Sequence, residues 1–272
     1  MKCNNRIKRI EHLEKIPSKI KKLNSNMFGY EYIEGDLLSN ITDTKIFSNF
    51  LEQFYEFTHT NNICDNLNEF RNNCTDMYKI KTYERIKKFK DKEWDKIDYI
   101  NGVPIKPIIN ILNEINWEEI ISNAIPANFH GDLQPENIII TKDKKIVLID
   151  WRESFGSDLK IGDFYYDLSK LYHGLIINGT IAKEKKFLVR LKQNRAEVSY
   201  LSKNNLLEFN KILESFCKKY EIDYEKVKLL GILHYINIAE FYEETEKEYS
   251  KFIFLLGKLL MSEILSEKRD KK

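Results

Sequence analysis

The sequence predicts an α+β protein that is mostly α, with one small β element near its middle, and three observations carry that prediction. With only 10 Gly and 5 Pro in 272 residues, long uninterrupted helices are the natural reading. Apolar residues recur at helical spacing through much of the chain. The exception is a pair of short apolar runs, 138–141 and 146–150, separated by Lys142-Asp143-Lys144-Lys145, which reads as a tight two-stranded hairpin.

In order along the chain, residues 7–15 read as a helix that stops before Pro17. The stretch MFGYEYIEG (27–35) is aromatic and β-branched and reads as a strand running into a turn at Gly35. From Thr44, the residues Ile46, Phe47, Phe50, Leu51, Phe54 and Phe57 form one apolar helical stripe. The Asn-rich segment 60–76 reads as a loop, and 78–91 and 107–122 read as helices, the second ended by Pro126. After the hairpin and Gly162, helices are expected over 163–177, 182–197, 203–220, 223–246 and 249–267. No internal repeat and no Gly/Ser/Pro-rich linker divides the chain.

Composition excludes several classes of function. The 44 basic and 42 acidic residues nearly cancel, so nothing argues for nucleic acid, and the basic run 19–22 reads as solvated surface. Four cysteines without a CxxC pair read as free thiols of a reducing compartment rather than a disulfide frame or a zinc site. The N-terminal stretch MKCNNRIKRIEHLEKI has no apolar signal core, and no stretch approaches the roughly 18 apolar residues that span a bilayer. A cytoplasmic protein without membrane attachment is expected.

Polar chemistry is densest beside the hairpin, in Phe-His-Gly-Asp-Leu-Gln-Pro-Glu-Asn at 129–137. Asn137 and Asp150 offer a neutral and an anionic hard oxygen, the donors Mg²⁺ accepts alongside water and phosphate. Asp132 stands apart from that pair and can accept a proton from an attacking hydroxyl, and His130 can orient the loop. Those are the parts phosphoryl transfer requires.

HGDLQPEN resembles the catalytic loop of the protein-kinase-like superfamily, and Asp–x4–Asn followed by an apolar-Ile-Asp strand is that superfamily's spacing. Gly131 in place of Arg, and Asp150-Trp151 in place of Asp-Phe-Gly, point to the small-molecule branch, which includes the aminoglycoside phosphotransferase and choline kinase families. The stretch IDWRESFGSDLKIGDFYYDLSKLYHG strengthens the match and resembles a subgroup associated with bacterial surface carbohydrates. The resemblance implies a protein-kinase-like fold, with Asp132 as catalytic base, Asn137 and Asp150 as Mg²⁺ ligands, and ATP as cosubstrate. Asp163 would anchor the catalytic loop from the next helix, and Asp167 reads as a helix-face or buffering residue. Gln134 stands where protein kinases usually carry a Lys that touches the transferred phosphate, which argues for a small-molecule acceptor.

Upstream, the resemblance implies a nucleotide-binding lobe of which only the tail is legible. Residues 1–35 read as its remnant and hinge, with adenine expected at Glu31, Tyr32 and Ile33, and residues 36–272 as the helical catalytic lobe. No Gly precedes Gly29, so no phosphate-covering loop can be read; Lys2, Lys8, Glu11 and Glu14 read as solvated surface rather than as the Lys–Glu clamp. Another polypeptide that completes the site is one expectation this raises; a natural truncation and a loss of phosphoryl transfer are the others. For the acceptor, Trp151, Arg152, Tyr165, Tyr166, His173, Asn237 and Glu240 are candidate lining residues. Arg152 either grips an anionic group or pairs with an acid such as Glu153. The acidic run after Glu240 either attracts a cationic, amino-sugar or choline-like acceptor or forms a solvated helix end. His234 and Tyr235 read as core. The function expected is transfer of the γ-phosphoryl of ATP to a hydroxyl of a sugar, amino sugar or amino alcohol. The alternatives are a degenerate kinase-like binding module and an aminoglycoside-inactivating kinase.

Overall fold

A computed structural model describes residues 2–59, 64–89 and 92–270. The helix Tyr224–Tyr242 buries residues around its whole circumference, Val227, Leu230, Leu233, Tyr235, Ile236 and Ala239 among them. A helix without a polar face belongs inside. It packs against Phe164–Ile176, Lys247–Asp270 and Lys81–Lys88. The Thr44–His59 helix places Phe47, Phe50, Leu51, Phe54 and Phe57 inward, as the stripe predicts, and Phe47 stacks on Phe209 of the Asn204–Lys219 helix at 4.3 Å.

The expected hairpin forms: Ile138–Thr141 pairs antiparallel with Ile146–Leu148, and Gly35–Leu37 adds a third strand to Ile138–Thr141. Pro126–Asn128, which leads into the 129–137 loop, pairs antiparallel with Ile161–Asp163. These two small sheets bracket residues 129–137 on both sides and fix where that loop can sit.

Six expectations are corrected. Residues 182–197 are not a helix. After the five-residue helix Gly179–Lys183, the strands Phe187–Lys192 and Arg195–Tyr200 form a hairpin around Gln193-Asn194, with Gln193 at φ 54°. Only Ala196 and Val198 of this segment are buried, a period of two rather than 3.6, and Arg195 and Ala196 also pair in parallel with Tyr99 and Ile100. The described part of the expected 60–76 loop contains the helix Leu67–Thr75; Asn66 caps it by accepting from the Glu69 N–H at 3.1 Å, so an Asn read as a loop former starts a helix. The expected 107–122 helix is two, Ile108–Asn113 and Trp117–Ser122, the second capped by Asn116. The 27–35 strand is reduced to Phe28–Gly29, with Gly35 opening the next strand. At the N-terminus the helix is Lys2–Lys8, followed by a tight turn Arg9–His12. The 78–91 helix is Lys81–Lys88, entered through the wider turn Asp76–Ile80, and residues 90 and 91 lie outside the described residues. Among the described residues no helix is long and apolar enough to cross a membrane.

Candidate active site

The backbone of the 129–137 loop is held from two directions. Asp167, fully buried one turn into the Phe164–Ile176 helix, accepts the backbone N–H of His130 at 2.6 Å and of Gly131 at 2.7 Å. Burial pushes its carboxyl up to about 7, while those two N–H donors and the nearby Arg9 pull the other way. Arg9, also fully buried, lies over the Phe129 ring at 3.7 Å and donates to the carbonyls of Leu159 (2.9 Å), His130, Phe129 and Arg152. Desolvation lowers its guanidinium to about 10, so it remains a cation at neutral pH. One arginine thereby ties the loop to the segment that follows the hairpin, and the Arg152 N–H to the His130 carbonyl (3.0 Å) adds a direct tie.

The anchor expected of Asp163 is thus Asp167. Asp163 instead caps the helix through the Tyr165 N–H (3.2 Å) and accepts from the Tyr78 hydroxyl (2.6 Å) and the Ile125 N–H (3.0 Å). Pairing of Ile161–Asp163 with Pro126–Asn128 fixes its backbone there, on the Tyr78 side of the fold and off the loop.

Two glycines shape the loop. Gly131 has φ +90°, and a Cβ there would lie 2.5 Å from the Arg152 Cβ. At Gly174 a Cβ would lie 2.4 Å from the Pro135 ring, so the helix that carries Asp167 can press against the loop only because residue 174 has no side chain.

Inside this frame the Asp132 carboxylate meets three donors: Lys170 Nζ at 3.0 Å, Gln134 Nε2 at 3.0 Å and Asn137 Nδ2 at 3.2 Å. Burial alone would raise its carboxyl; the charge and hydrogen bond of Lys170 outweigh this and hold it below the usual carboxylate range. Asn137 spends its NH₂ on Asp132, including the Asp132 carbonyl at 2.8 Å, which leaves Oδ1 without a partner among the described residues. The Asn137 carbonyl accepts the Ile149 N–H at 3.0 Å, so the hairpin itself brings Asn137 alongside Asp150. A free amide oxygen beside a half-exposed carboxylate is a donor set that fits Mg²⁺, with water and phosphate completing it. Among the described residues no group of three or more His, Cys, Asp or Glu converges into a self-sufficient metal cage.

A cleft of about 280 Å³ opens here, lined by Asp132 and Asp150 together with Arg152, Tyr166, Lys170, Asn237 and others. Its charged lining comprises three acids (Asp132, Asp150, Glu153) and six bases (Lys2, Arg6, Lys81, Arg85, Arg152, Lys170). A larger cleft of about 490 Å³, lined by Lys106, Glu119 and Lys226 among others, contains no residue of the 129–137 loop and so lies away from the chemistry.

Several candidates fall outside the catalytic cleft. His130 is fully buried with its Nδ1 accepting the Asp132 N–H at 3.3 Å; burial lowers its imidazole to about 4, so it is a neutral brace of the loop and does not face the cleft. Trp151 is also fully buried, donating to the Arg6 carbonyl at 2.9 Å and packing against Phe28 and Tyr30, which removes it from any substrate surface. Tyr165 accepts the Asp223 N–H, the His173 ring lies tilted against Tyr235 with centroids 4.2 Å apart, and Glu240 lies outside the lining. His234, expected in the core, is buried and also lines the cleft. Glu31, Tyr32 and Ile33 do not line the cleft either: Glu31 pairs with Lys19 at 3.3 Å, and Tyr32 is 89% exposed. Arg152 is not paired with Glu153; it donates to the Ser154 carbonyl and the Tyr166 hydroxyl, both at 3.2 Å, while Glu153 pairs with Lys2. Sequence reasoning missed Arg9, Lys170, Lys81 and Arg85.

The family model described as "Phosphotransferase enzyme family" (APH) matches residues 114–199, the segment holding the catalytic loop, Asp150 and Asp167. A search of curated proteins by sequence gives no match. Among solved structures, the choline kinase LicA from Streptococcus pneumoniae superimposes with a TM-score of 0.55 at 15% identity, covering 97% of this chain and 80% of that one. LicA in complex with AMP gives 0.54 at 15% identity, covering 96% and 79%. The resemblance to the aminoglycoside phosphotransferase and choline kinase families, first legible in HGDLQPEN, therefore holds: the chain carries the protein-kinase-like α+β fold of a choline kinase over nearly its whole length, with the phosphotransferase signature in its centre.

Proposed function

We propose that this protein is a small-molecule kinase, transferring the γ-phosphoryl group of ATP to a hydroxyl with Mg²⁺ as cofactor. The observation that carries the reading is that Asp132 and Asp150 line one cleft while Asn137 bridges them, hydrogen-bonded to Asp132 and tied through its backbone to Ile149. A base without a metal pair, or the reverse, would not require that join.

In the reaction, an acceptor hydroxyl sits against Asp132. Its oxygen bonds to the γ-phosphorus as the bond to the β-phosphate oxygen breaks, the proton passes to Asp132, and ADP leaves. Lys170 and Gln134 fix the carboxylate so that its free face meets the hydroxyl, and Lys170 supplies from a helix the positive charge that position 134 lacks. Asn137 Oδ1 and the Asp150 carboxylate would hold Mg²⁺, which when bound neutralises phosphate charge. Arg9 and Asp167 touch neither substrate; they set the loop. For the nucleotide, our reading assigns adenine to the backbone around 31–33, beyond Phe28 and Tyr30, which abut Trp151. Residues 1–35 then form the nucleotide side and 36–272 the acceptor side.

Calorimetric titration of ATP with and without Mg²⁺ tests the reading. Magnesium-dependent binding is expected in the native protein and in Asp132→Ala, and not in Asp150→Ala; turnover is expected to vanish in Asp132→Ala. Full turnover by Asp132→Ala, or equal binding without Mg²⁺, would refute it.

A further inference from the structure

The charges of the catalytic cleft do not balance. Each of its three acids is taken by one base: Asp132 by Lys170 at 3.0 Å, Asp150 by Arg6 at 2.8 Å, Glu153 by Lys2 at 3.5 Å. Lys81, Arg85 and Arg152 remain, with no carboxylate within ion-pair distance among the described residues. Arg85 donates to the Asn237 carbonyl at 2.8 Å and lies over Phe241 at 4.4 Å; Arg152 has only the neutral oxygens of Ser154 and Tyr166. The Lys81 ammonium has no hydrogen-bond partner among the described residues, and burial together with Arg152, Arg85 and Lys170 lowers it to about 6. Clustered cations withdrawn from water cost folding free energy unless a counter-charge joins them. A second observation points the same way. Asn237 lines this cleft at 5% exposure, and its side-chain oxygen has no hydrogen-bond partner.

We propose that the phosphoryl acceptor is itself an anion, a hydroxyl compound bearing a phosphate or carboxylate group that seats among Lys81, Arg85 and Arg152, with Asn237 meeting one of its hydroxyls. This rests on the kinase reading above and narrows it. Both anion types offer the planar or fanned oxygens that guanidinium groups grip in pairs. A choline-like or amino-sugar cation would enter against the unpaired guanidinium charges of Arg85 and Arg152; the acidic run from Glu240 contributes no carboxylate to the cleft lining, although the charge of Glu240 acts on Arg85. Two of the three belong to the helical wall: Lys81 and Arg85 stand on Lys81–Lys88, which packs on Tyr224–Tyr242, the helix that contributes Asn237, while Arg152 reaches the cleft from the segment after the hairpin. Asn137 and Asp150, where the nucleotide's metal is assigned, flank the hairpin, one just before Ile138–Thr141 and the other two residues after Ile146–Leu148. In the free protein Lys81 can relieve repulsion by releasing its proton; an arriving anion draws the proton back and gains a third cation.

The test is calorimetric titration, near pH 7 and at fixed ionic strength, of glucose 6-phosphate, glucuronate, inorganic phosphate, glucose and choline into the native protein, Lys81→Gln and Arg85→Gln. The anions are expected to bind at least tenfold more tightly than glucose or choline, and each substitution to weaken them about tenfold, equivalent to about 1.4 kcal/mol. Magnesium–ATP binding is expected to persist in both variants and to be additive with phosphate. The sugar arms separate an acceptor's anion from free phosphate: phosphate bound alone, with neither charged sugar preferred over glucose, overturns the acceptor assignment. Choline binding more tightly than the anions also overturns it, as does displacement of phosphate by magnesium–ATP, which would give the cations to the nucleotide. The kinase reading is judged separately by the magnesium dependence lost in Asp150→Ala, so either idea can fail with the other's readout intact.

Discussion

Asp167 is the residue whose replacement tests how the catalytic loop is held. Asp167→Asn keeps the shape but changes the bonding: two carboxylate oxygens accept the N–H groups of His130 and Gly131, whereas an amide offers one acceptor and turns a donor toward the other N–H. One buried backbone donor is left unsatisfied, which costs roughly 1–3 kcal/mol. For a chain of this size each kcal/mol is worth about 2–4 °C in Tm, so a fall of several degrees is expected by circular dichroism at pH 8. Catalysis should suffer more than stability alone explains, because Asp132 begins one residue after the released N–H; about a tenfold loss in kcat corresponds to only about 1.4 kcal/mol. The pH dependence supplies a sign. The folded carboxyl stands near 7 and the unfolded one near ~3.9, so between those values the folded chain keeps a proton that the unfolded chain releases. The native protein should therefore gain stability relative to Asp167→Asn as pH falls from 7 toward 4, with a constant difference above 7. Taking the difference between the two proteins removes His130, His173 and His234, whose burial-lowered imidazoles act in the opposite direction. Equal Tm and equal kcat at pH 8 would refute the claim that this carboxylate holds the loop.

Two further outcomes are expected. Lys170→Gln removes the ammonium from Asp132, and loss of a charged hydrogen bond at this largely buried position, roughly 1.5–3 kcal/mol, should lower kcat about 10- to 100-fold in a coupled ADP-release assay. Magnesium-dependent ATP binding should persist; its loss would mean that Lys170 serves the nucleotide instead. Gly131→Ala meets a backbone at φ +90° and the Arg152 Cβ at 2.5 Å, so it should lower both Tm and turnover, while Gly102→Ala, at φ +82° with nothing within 4 Å, should cost only the backbone term, about 1 kcal/mol, and spare turnover.

What the sequence made legible was local. HGDLQPEN and the hairpin that follows it span about twenty residues, and their spacing alone brings Asp132, Asn137 and Asp150 into one neighbourhood. The residues that hold this segment from outside are remote in the chain. Arg9 reaches the His130 carbonyl across 121 positions, and Asp167 reaches its N–H across 37. Nothing in the neighbourhood of Arg9, within RIKRIEH, distinguishes a buried clamp from a solvated arginine. The choice between Asp163 and Asp167 turned on a pairing with Pro126–Asn128 that two short strands do not announce. Residues 182–197 read as a helix because the outward residues of the hairpin they enter are charged and its two buried ones are small, and the parallel partner at Tyr99–Ile100 lies nearly a hundred residues upstream. Charge misled in the same way. The acidic run after Glu240 is conspicuous in one dimension, but the cleft collects its six lysines and arginines from four separate stretches of chain.

The carboxylate of Asp150 is engaged by Arg6, through Oδ1 at 2.8 Å, with the pair 30% and 53% exposed. At that exposure the pair is worth about 1 kcal/mol or less and weakens with salt. If Asp150 serves Mg²⁺, guanidinium and metal compete for the same oxygens, and Arg6→Ala should lower the Mg²⁺ concentration needed for half-saturation of ATP binding by up to about fivefold, less at high ionic strength. The helix that carries Arg6 should stay seated without the side chain, because Trp151 holds it by the Arg6 main-chain carbonyl and Arg9 anchors the next turn. The opposite result has an equally definite meaning. If Arg6→Ala raises the requirement for Mg²⁺, or weakens ATP binding at saturating Mg²⁺, then Arg6 leaves Asp150 to grip the triphosphate. It would then supply from the N-terminal helix the phosphate-facing cation that the kinase resemblance leads one to expect near this end of the site.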